Sequence, residues 1–278
     1  MDGGLVRLRE VYDKLNPSEK KVADYILQHP TELVDLSVAQ LADNSGASQA
    51  AIIRLCKSMG IKGYQDLKIK VVGDLRQEES EGYQEIRPHD SITTIIQHVS
   101  NNNIQSIRDT VKILDPAQVE RAIDALNQSN RIYIYGVGAS NLIAMDAQQK
   151  FLRMGRTCFS FADPHVQLTS AVGLKPGDIV VGISYSGETK EVIRALELAK
   201  ERGSMTISIT KYGSSTLSRL SDIPLCTSST ENEIRSGAMA SRITQLNVID
   251  ILYLGVASRD YEHSVKHLEE SRKAIRNL

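Results

Sequence analysis

The chain has 278 residues, 41% of them hydrophobic, and its 33 basic and 34 acidic side chains leave a formal net charge of −1. The length exceeds that of a usual single domain and the composition is that of a globular protein, so two domains are expected. The balanced charge suggests neither a wholly basic nucleic-acid binder nor a membrane-surface protein. No apolar run approaches the ~20 residues of a membrane helix and no signal-like apolar region opens the chain, so a cytoplasmic protein is expected.

Cys56, Cys158 and Cys226 lie far apart and form neither C-x-x-C pairs nor a Cys/His metal spacing. They read as small core residues, and neither a metal nor a cofactor is expected. Charge is unevenly spread along the chain. Residues 1–48 hold five basic and eight acidic side chains, whereas 49–70 hold five basic and one acidic. A short basic segment therefore lies inside a neutral protein.

The first 77 residues read as helices. Asn16-Pro17-Ser18-Glu19 supplies an N-cap, a proline at the first helical position and a glutamate three residues after the cap, ahead of Val22, Ala23, Ile26 and Leu27 on one face. Ser37-Val-Ala-Gln40 repeats the capping logic and launches a short helix that stops at Asn44-Ser45-Gly46. Ser48 then caps a third helix, about Gln49 to Met59. Its apolar stripe is Ile52, Leu55, Cys56 and Met59, and it leaves Gln49, Ala50, Arg54 and Lys57 outward.

Two short helices joined by a tight glycine turn match a helix-turn-helix DNA reader. In that reading Ser48, Gln49 and Ala50 lie at the groove, Arg54 and Lys57 reach base edges or phosphates, and Lys62, Lys68 and Lys70 extend the phosphate footprint. The residues equally fit a small helical cap with solvated lysines, in which Arg54 pairs with Asp43 or Asp66.

Residues 78–91 are polar and aperiodic and read as an interdomain linker between a domain at 1–77 and another at 92–278. Apolar residues from Ile92 to Leu114 then make a long amphipathic helix or helix pair, and Asp115-Pro116 starts a further helix. After Arg131, apolar runs alternate with helical patterns: Ile132–Tyr135, Thr157–Phe161, Ile179–Ser184, Met205–Thr210 and Ile223–Cys226. This predicts an α/β domain with a five-stranded, doubly wound parallel sheet, following the all-helical N-terminal domain.

Ligands bind beyond the strand C-termini of such sheets, where the winding reverses. The turn after the third strand, Ser184-Tyr185-Ser186-Gly187-Glu188-Thr189, opens a helix and is rich in hydroxyls. Free amides at the helix start, its partial positive charge and the hydroxyls of Ser184, Ser186 and Thr189 surround a phosphate without Lys or Arg. The turn after the first strand, Gly136-Val-Gly138-Ala139-Ser140, lacks the third glycine of G-x-G-x-x-G, whose place falls at Asn141. Gly138 and Ser140 fit close approach to a smaller ligand instead. Two plainer roles stay open: Ser140 as a helix cap, and Thr189 bonded within its own first turn. His165, in a loop on the same edge, is in place to reach a sugar, as are Glu231, Glu233 and Arg235 after the fifth strand. Glu233 or His165 would be the general base of an isomerase, yet no second acid or base stands at a telling spacing.

Gly136-Val-Gly138-Ala139-Ser140, Ser184 to Thr189 and the stretch from Glu231 to Gln245 together resemble a sugar isomerase (SIS) domain. Leu41-Ala42, Ser45-Gly46-Ala47-Ser48, Ile52 to Lys57 and Gly63 to Lys68 resemble the helix-turn-helix half of RpiR-type bacterial transcription regulators. The resemblance covers nearly the whole chain. It implies a homodimeric or homotetrameric regulator of carbohydrate genes that binds operator DNA and senses a sugar phosphate, without catalysis. It also implies phosphate contacts by Ser140, Ser184, Ser186 and Thr189, with backbone from Gly138, Tyr185 and Gly187. Ile53 to Ser58 and Asp146 to Arg153 resemble Bacillus-type regulators of N-acetylmuramic acid 6-phosphate use, which makes that sugar the leading candidate. A sugar-phosphate isomerase and a nucleotide-binding regulator are the alternatives. The helix from Gly237 to Ser258, apolar on most sides, is expected with the 92–114 helices to bury against a second subunit.

Overall fold

The computed structural model describes residues 3–75, 87–228 and 238–276. The chain divides into two compact units, Met1–Ile113 and Leu114–Leu278.

The first unit is helical: α1 (Gly4–Val11), α2 (Pro17–Gln28), α3 (Val38–Ser45), α4 (Gln49–Ser58), α5 (Tyr64–Leu75) and α6 (Ile92–Ile113), with short 3-10 turns after α1 and α2. Local chemistry sets most boundaries. Asn16 and Glu19 form the expected capping box at α2, Ser37 and Gln40 another at α3, and Ser48 accepts from the Ala51 amide to start α4. Gly46 ends α3 at φ 60° and ψ 35°, a left-handed conformation that glycine adopts at little cost. Ile52, Leu55, Cys56 and Met59 are all buried, as their spacing requires. Burial pushes the Cys56 thiol up to about 11, so it stays protonated and acts as core.

Helix α1 has no local side-chain cap. Its start is tied instead by Asp74, whose carboxylate accepts from the Gly3 amide at 2.7 Å and the Leu5 amide at 2.8 Å. Lys112, near the end of α6, lies 3.7 Å from the same carboxylate. Ser106, Asp109, Thr110 and Ile113 of α6 are buried. These contacts group α6 with the first unit, although sequence periodicity assigns it to the second domain. Ile92, Ile96, Ile104 and Val111 remain exposed.

The second unit is a three-layer α/β domain. Its strands β1 (Arg131–Gly136), β2 (Cys158–Phe159), β3 (Asp178–Ile183), β4 (Met205–Lys211) and β5 (Ile223–Thr227) form one parallel sheet in the order β2-β1-β3-β4-β5. All five lie where the apolar runs predict, although β2 is only two residues long. On one face, Ile132, Ile134, Val181, Ile207 and Leu225 pack with α7 (Pro116–Gln128), α8 (Ala139–Arg153) and α12 (Met239–Arg259). On the other, Tyr133, Tyr135 and Val180 pack with α9 (Pro164–Val172), α10 (Lys190–Glu201) and α11 (Thr216–Leu220). A last helix, α13 (Tyr261–Arg276), follows.

Alternating strand residues thus serve opposite layers, which is why these strands read as continuous apolar runs. Helix α12 owes its apolar character to its own domain. Val248, Ile249, Leu252 and Val256 are buried in the main core, and a Cβ at Gly255 would overlap Ile123 of α7, so the two helices meet closely. Leu254 is left exposed.

Candidate functional site

The winding direction reverses between β1 and β3, whose ends are paired Gly136 to Ile183. The turns after these strands are therefore neighbours at the C-terminal edge of the sheet. A Cβ at Gly136 would sit 2.7 Å from the Ser140 carbonyl oxygen, so the first turn closes only around glycine. Gly138 follows at φ 61° and ψ −125°. Ser140 is buried in the first turn of α8, whose N-cap, Gly138, provides no side-chain bond.

After β3 the chain forms a tight loop. Ser184 Oγ lies 2.8 Å from Thr189 Oγ1 and accepts from the Gly187 amide at 3.1 Å. Ser186 Oγ accepts from the Glu188 amide at 3.2 Å. Thr189 is the N-cap of α10, yet it makes no side-chain cap bond. Its hydroxyl turns to Ser184, which removes the plainer role weighed for it. Elsewhere α2, α3, α4, α7, α9 and α11 all begin with a side-chain cap. The two helices that start at the switch point, α8 and α10, do not, and neither do α1 and α12. The first-turn amides of α8 and α10 face the edge where an anion is stabilised by the helix dipole.

The loop is braced from outside by residues that sequence reasoning missed. The Lys211 amide donates to the Tyr185 carbonyl at 2.9 Å and the Leu217 amide to the Gly187 carbonyl at 3.0 Å. Glu188 accepts from the Thr216 amide at 2.8 Å, so it holds the start of α11. Gly187, at φ 68°, lies against Ser215 and Thr210. Lys211 also brings a basic residue alongside a loop that the sequence pattern builds without one. Gln167 donates to the Gly136 carbonyl at 2.8 Å and the Phe161 carbonyl at 2.7 Å, joining the turns after β1 and β2. Apart from the Gln167–Phe161 bond, six residues apart, these links have no short-range signature, because each partner lies far along the chain.

The structure thus brings Ser184, Tyr185, Ser186, Gly187 and Thr189 into one loop and sets Gly138 and Ser140 in the adjoining turn. His165 is exposed in the first turn of α9, with its amide capped by Asp163 at 2.7 Å. Glu231, Glu233 and Arg235 lie outside the described residues. Among the described residues no cluster of three His, Cys, Asp or Glu side chains is arranged to hold a metal, and no helix is long and apolar enough to cross a membrane.

In the first unit, α3, the turn at Gly46 and α4 make the helix-turn-helix. Ser48, Gln49, Ala50, Arg54 and Lys57 are exposed as the periodicity requires. Arg54 pairs with neither Asp43 nor Asp66 but donates to Ser18 Oγ at 3.2 Å, at the start of α2. The lysines after α4 divide. Lys62 is exposed. Lys68 instead donates to the Leu36 carbonyl at 2.9 Å and lies over the Tyr64 ring at 5.7 Å, and Lys70 is 3.7 Å from Asp66. Lys68 is thus tied to the residues before α3, against which α5 packs its first turns.

A parallel sheet with a hydroxyl-rich loop at its switch point, in one chain with a helix-turn-helix unit, defines a DNA-binding regulator with a phosphosugar-binding domain. The sequence profile of the SIS domain matches residues 125–255, and that of the rpiR-family helix-turn-helix domain matches residues 2–78. An HTH-type transcriptional regulator of Caldanaerobacter subterraneus is 45% identical over 271 residues, which span 98% of this chain and 96% of that protein. The regulator YbbH of Bacillus subtilis is 41% identical across 99% of this chain and 98% of its own. The NanR protein of Vibrio vulnificus, solved in complex with ManNAc-6P, matches with a TM-score of 0.63 at 30% identity, covering 99% of this chain and 98% of that one. The chain belongs to the rpiR family of transcription regulators, with an N-terminal helix-turn-helix domain and a C-terminal SIS sugar-phosphate-binding domain.

Proposed function

We propose that this regulator controls amino-sugar or other carbohydrate catabolic genes and that a phosphosugar, with N-acetylmuramic acid 6-phosphate as the leading candidate, gates its hold on operator DNA. The observation that carries the reading is the loop from Ser184 to Thr189, with two hydroxyls 2.8 Å apart in front of an uncapped α10. In this reading Ser140, Ser184, Ser186 and Thr189 donate to the phosphate oxygens, and Gly138, Tyr185 and Gly187 contribute backbone. His165 and Glu233 contact the sugar. An N-acetylated hexose 6-phosphate is supported by the ManNAc-6P bound to Vibrio vulnificus NanR, and the muramic acid derivative by the resemblance of Ile53 to Ser58 and Asp146 to Arg153 to Bacillus-type regulators of its use.

The protein acts without catalysis and works in the cytoplasm as a homodimer or homotetramer. The exposed apolar side chains Ile92, Ile96, Ile104 and Val111 along α6 support self-association. A pair of subunits carries two DNA readers to half-sites about 34 Å apart or a multiple of it. Effector binding shifts their relative placement and so changes operator affinity.

A thermal-shift panel of phosphosugars tests the effector. A ligand at 100 times its dissociation constant adds about 2.7 kcal/mol of stability, and the reading expects this from an N-acetylated hexose 6-phosphate but not from the free sugar. Silence toward every phosphosugar and toward sulfate contradicts it.

A further inference from the structure

Helix α4 buries Ala51, Ile52, Leu55 and Cys56 but exposes one large apolar side chain, Ile53, with 45% of its surface in water. Ile53 lies on the outward face, not at its margin. Helical spacing sets it one turn from Gln49 on one side and one turn from Lys57 on the other, three residues from Ala50 and next to Arg54. Each of these four is exposed. The outward face therefore holds an apolar spot made by Ala50 and Ile53, ringed by groups that hydrogen-bond or carry positive charge. Among the described residues the opposite stripe, Ala51, Ile52, Leu55 and Cys56, supplies the helix's core contacts.

In a helix-turn-helix protein this face enters the major groove. The apolar group that DNA presents in that groove is the C5-methyl of thymine. A β-branched side chain in a helix is held largely to one rotamer, so Ile53 meets that methyl with little further loss of freedom. We infer that Ile53, with Ala50 beside it, reads a thymine methyl group in each half-site and is a specificity-determining residue of the DNA reader. Gln49 supplies hydrogen bonds around it, and Arg54 and Lys57 the phosphate attraction. The inference rests on the DNA-binding role of this domain, and it assigns to Ile53 a discrimination that charged contacts cannot provide.

The test begins with duplexes selected from a random pool by the full-length protein. In the tightest duplex each thymine is replaced singly by deoxyuridine, which removes the methyl and keeps every hydrogen-bonding group. Wild-type protein is expected to lose about fourfold in affinity at one thymine position per half-site, the value of one buried methyl group. Ile53→Ala is expected to bind the thymine duplex more weakly by at least that factor, to be indifferent to deoxyuridine at the same position, and to keep the wild-type salt dependence. Alanine suits an exposed helical position, so the variant folds, and its melting temperature verifies this.

The inference is overturned if Ile53→Ala binds as wild type does, or if it weakens binding while remaining as sensitive to deoxyuridine as wild type. Failure to select any duplex overturns the DNA reader itself and this inference with it, whereas binding without methyl sensitivity overturns the inference alone.

Discussion

Replacing Gly187 by alanine tests the phosphate loop at its tightest point. The residue has φ 68°, where a side chain costs about 1 to 2 kcal/mol. A Cβ there would overlap Ser215 Oγ and lie 2.5 Å from Ser215 Cβ and 3.3 Å from Thr210 Cγ2. Ser215 cannot retreat freely, because its Oγ accepts from the Ser218 amide at 3.2 Å and caps α11, a bond worth about 1 kcal/mol. Together these place the cost of keeping the loop in its observed form at about 2 to 3 kcal/mol, which is about 30- to 150-fold in effector affinity. Isothermal titration of the phosphosugar that stabilises the wild type measures this directly. Operator affinity without effector should stay within about twofold of wild type, because the helix-turn-helix is untouched. Gly173→Ala is the control: its Cβ would meet only the Ser170 carbonyl oxygen, at 3.5 Å, an ordinary contact. If Gly187→Ala binds the effector within about threefold of wild type, the loop is not the binding element and the reasoning fails.

Ser184→Ala removes a hydroxyl assigned to the phosphate and should weaken the effector by about 1.5 to 3 kcal/mol, the range for a hydrogen bond to a charged group, while titration with the unphosphorylated sugar reads no change. Arg54→Ala and Lys57→Ala should each lower the magnitude of the salt slope of operator binding by about 0.9 for every phosphate the side chain neutralises, whereas Lys68→Ala should leave the slope unchanged and lower the melting temperature. An unaltered slope in the first two, or a reduced slope in the third, contradicts the assignment of these side chains.

Asp109 gives a pH signature. Burial raises its carboxyl pKa, against the opposing pulls of the Gln105 hydrogen bond and of Lys112 and Arg9. The folded protein then holds that proton more tightly than the unfolded chain, so this contribution is full below the ordinary aspartate value of about 4 and is lost as pH rises through the elevated folded value. Asp109→Asn should therefore gain on wild type progressively above about pH 4 in chemical denaturation, and parallel stability curves would refute the sign. Light scattering should give the wild type a mass above 30.7 kDa at micromolar concentration and return Ile96→Glu toward that value; a monomeric wild type contradicts the proposed assembly.

Local signals were legible and long-range ones were not. The capping boxes at Asn16 and Ser37, the cap at Ser48 and the turn at Gly46 are statements about neighbours within four residues, and each stands in the structure as the sequence implies. The five apolar runs likewise became the five strands, because strands buried on both faces need no partner to be recognised. The Ser184 to Thr189 loop was readable because strand, hydroxyls and helix start are contiguous.

The misses were partners brought in by the fold. Asp74 caps α1 from 71 residues away, Lys68 reaches back to Leu36, and Glu188 accepts from the Thr216 amide at the start of α11. The apolar pattern of α12 was legible but not its cause, since periodicity cannot tell a helix covered by its own domain from one covered by a second subunit. Ile53 sits on the outward face that helical spacing gives to Gln49, Ala50, Arg54 and Lys57, and its 45% exposure bears this out.

The most direct test of ligand gating is a thermodynamic cycle. The effector is titrated into free protein and into protein saturated with operator duplex, and operator affinity is measured with and without saturating effector. The account predicts that DNA changes effector affinity by the same factor by which effector changes DNA affinity, within about 5- to 150-fold. Equal effector affinity for the free and the DNA-bound protein would contradict it.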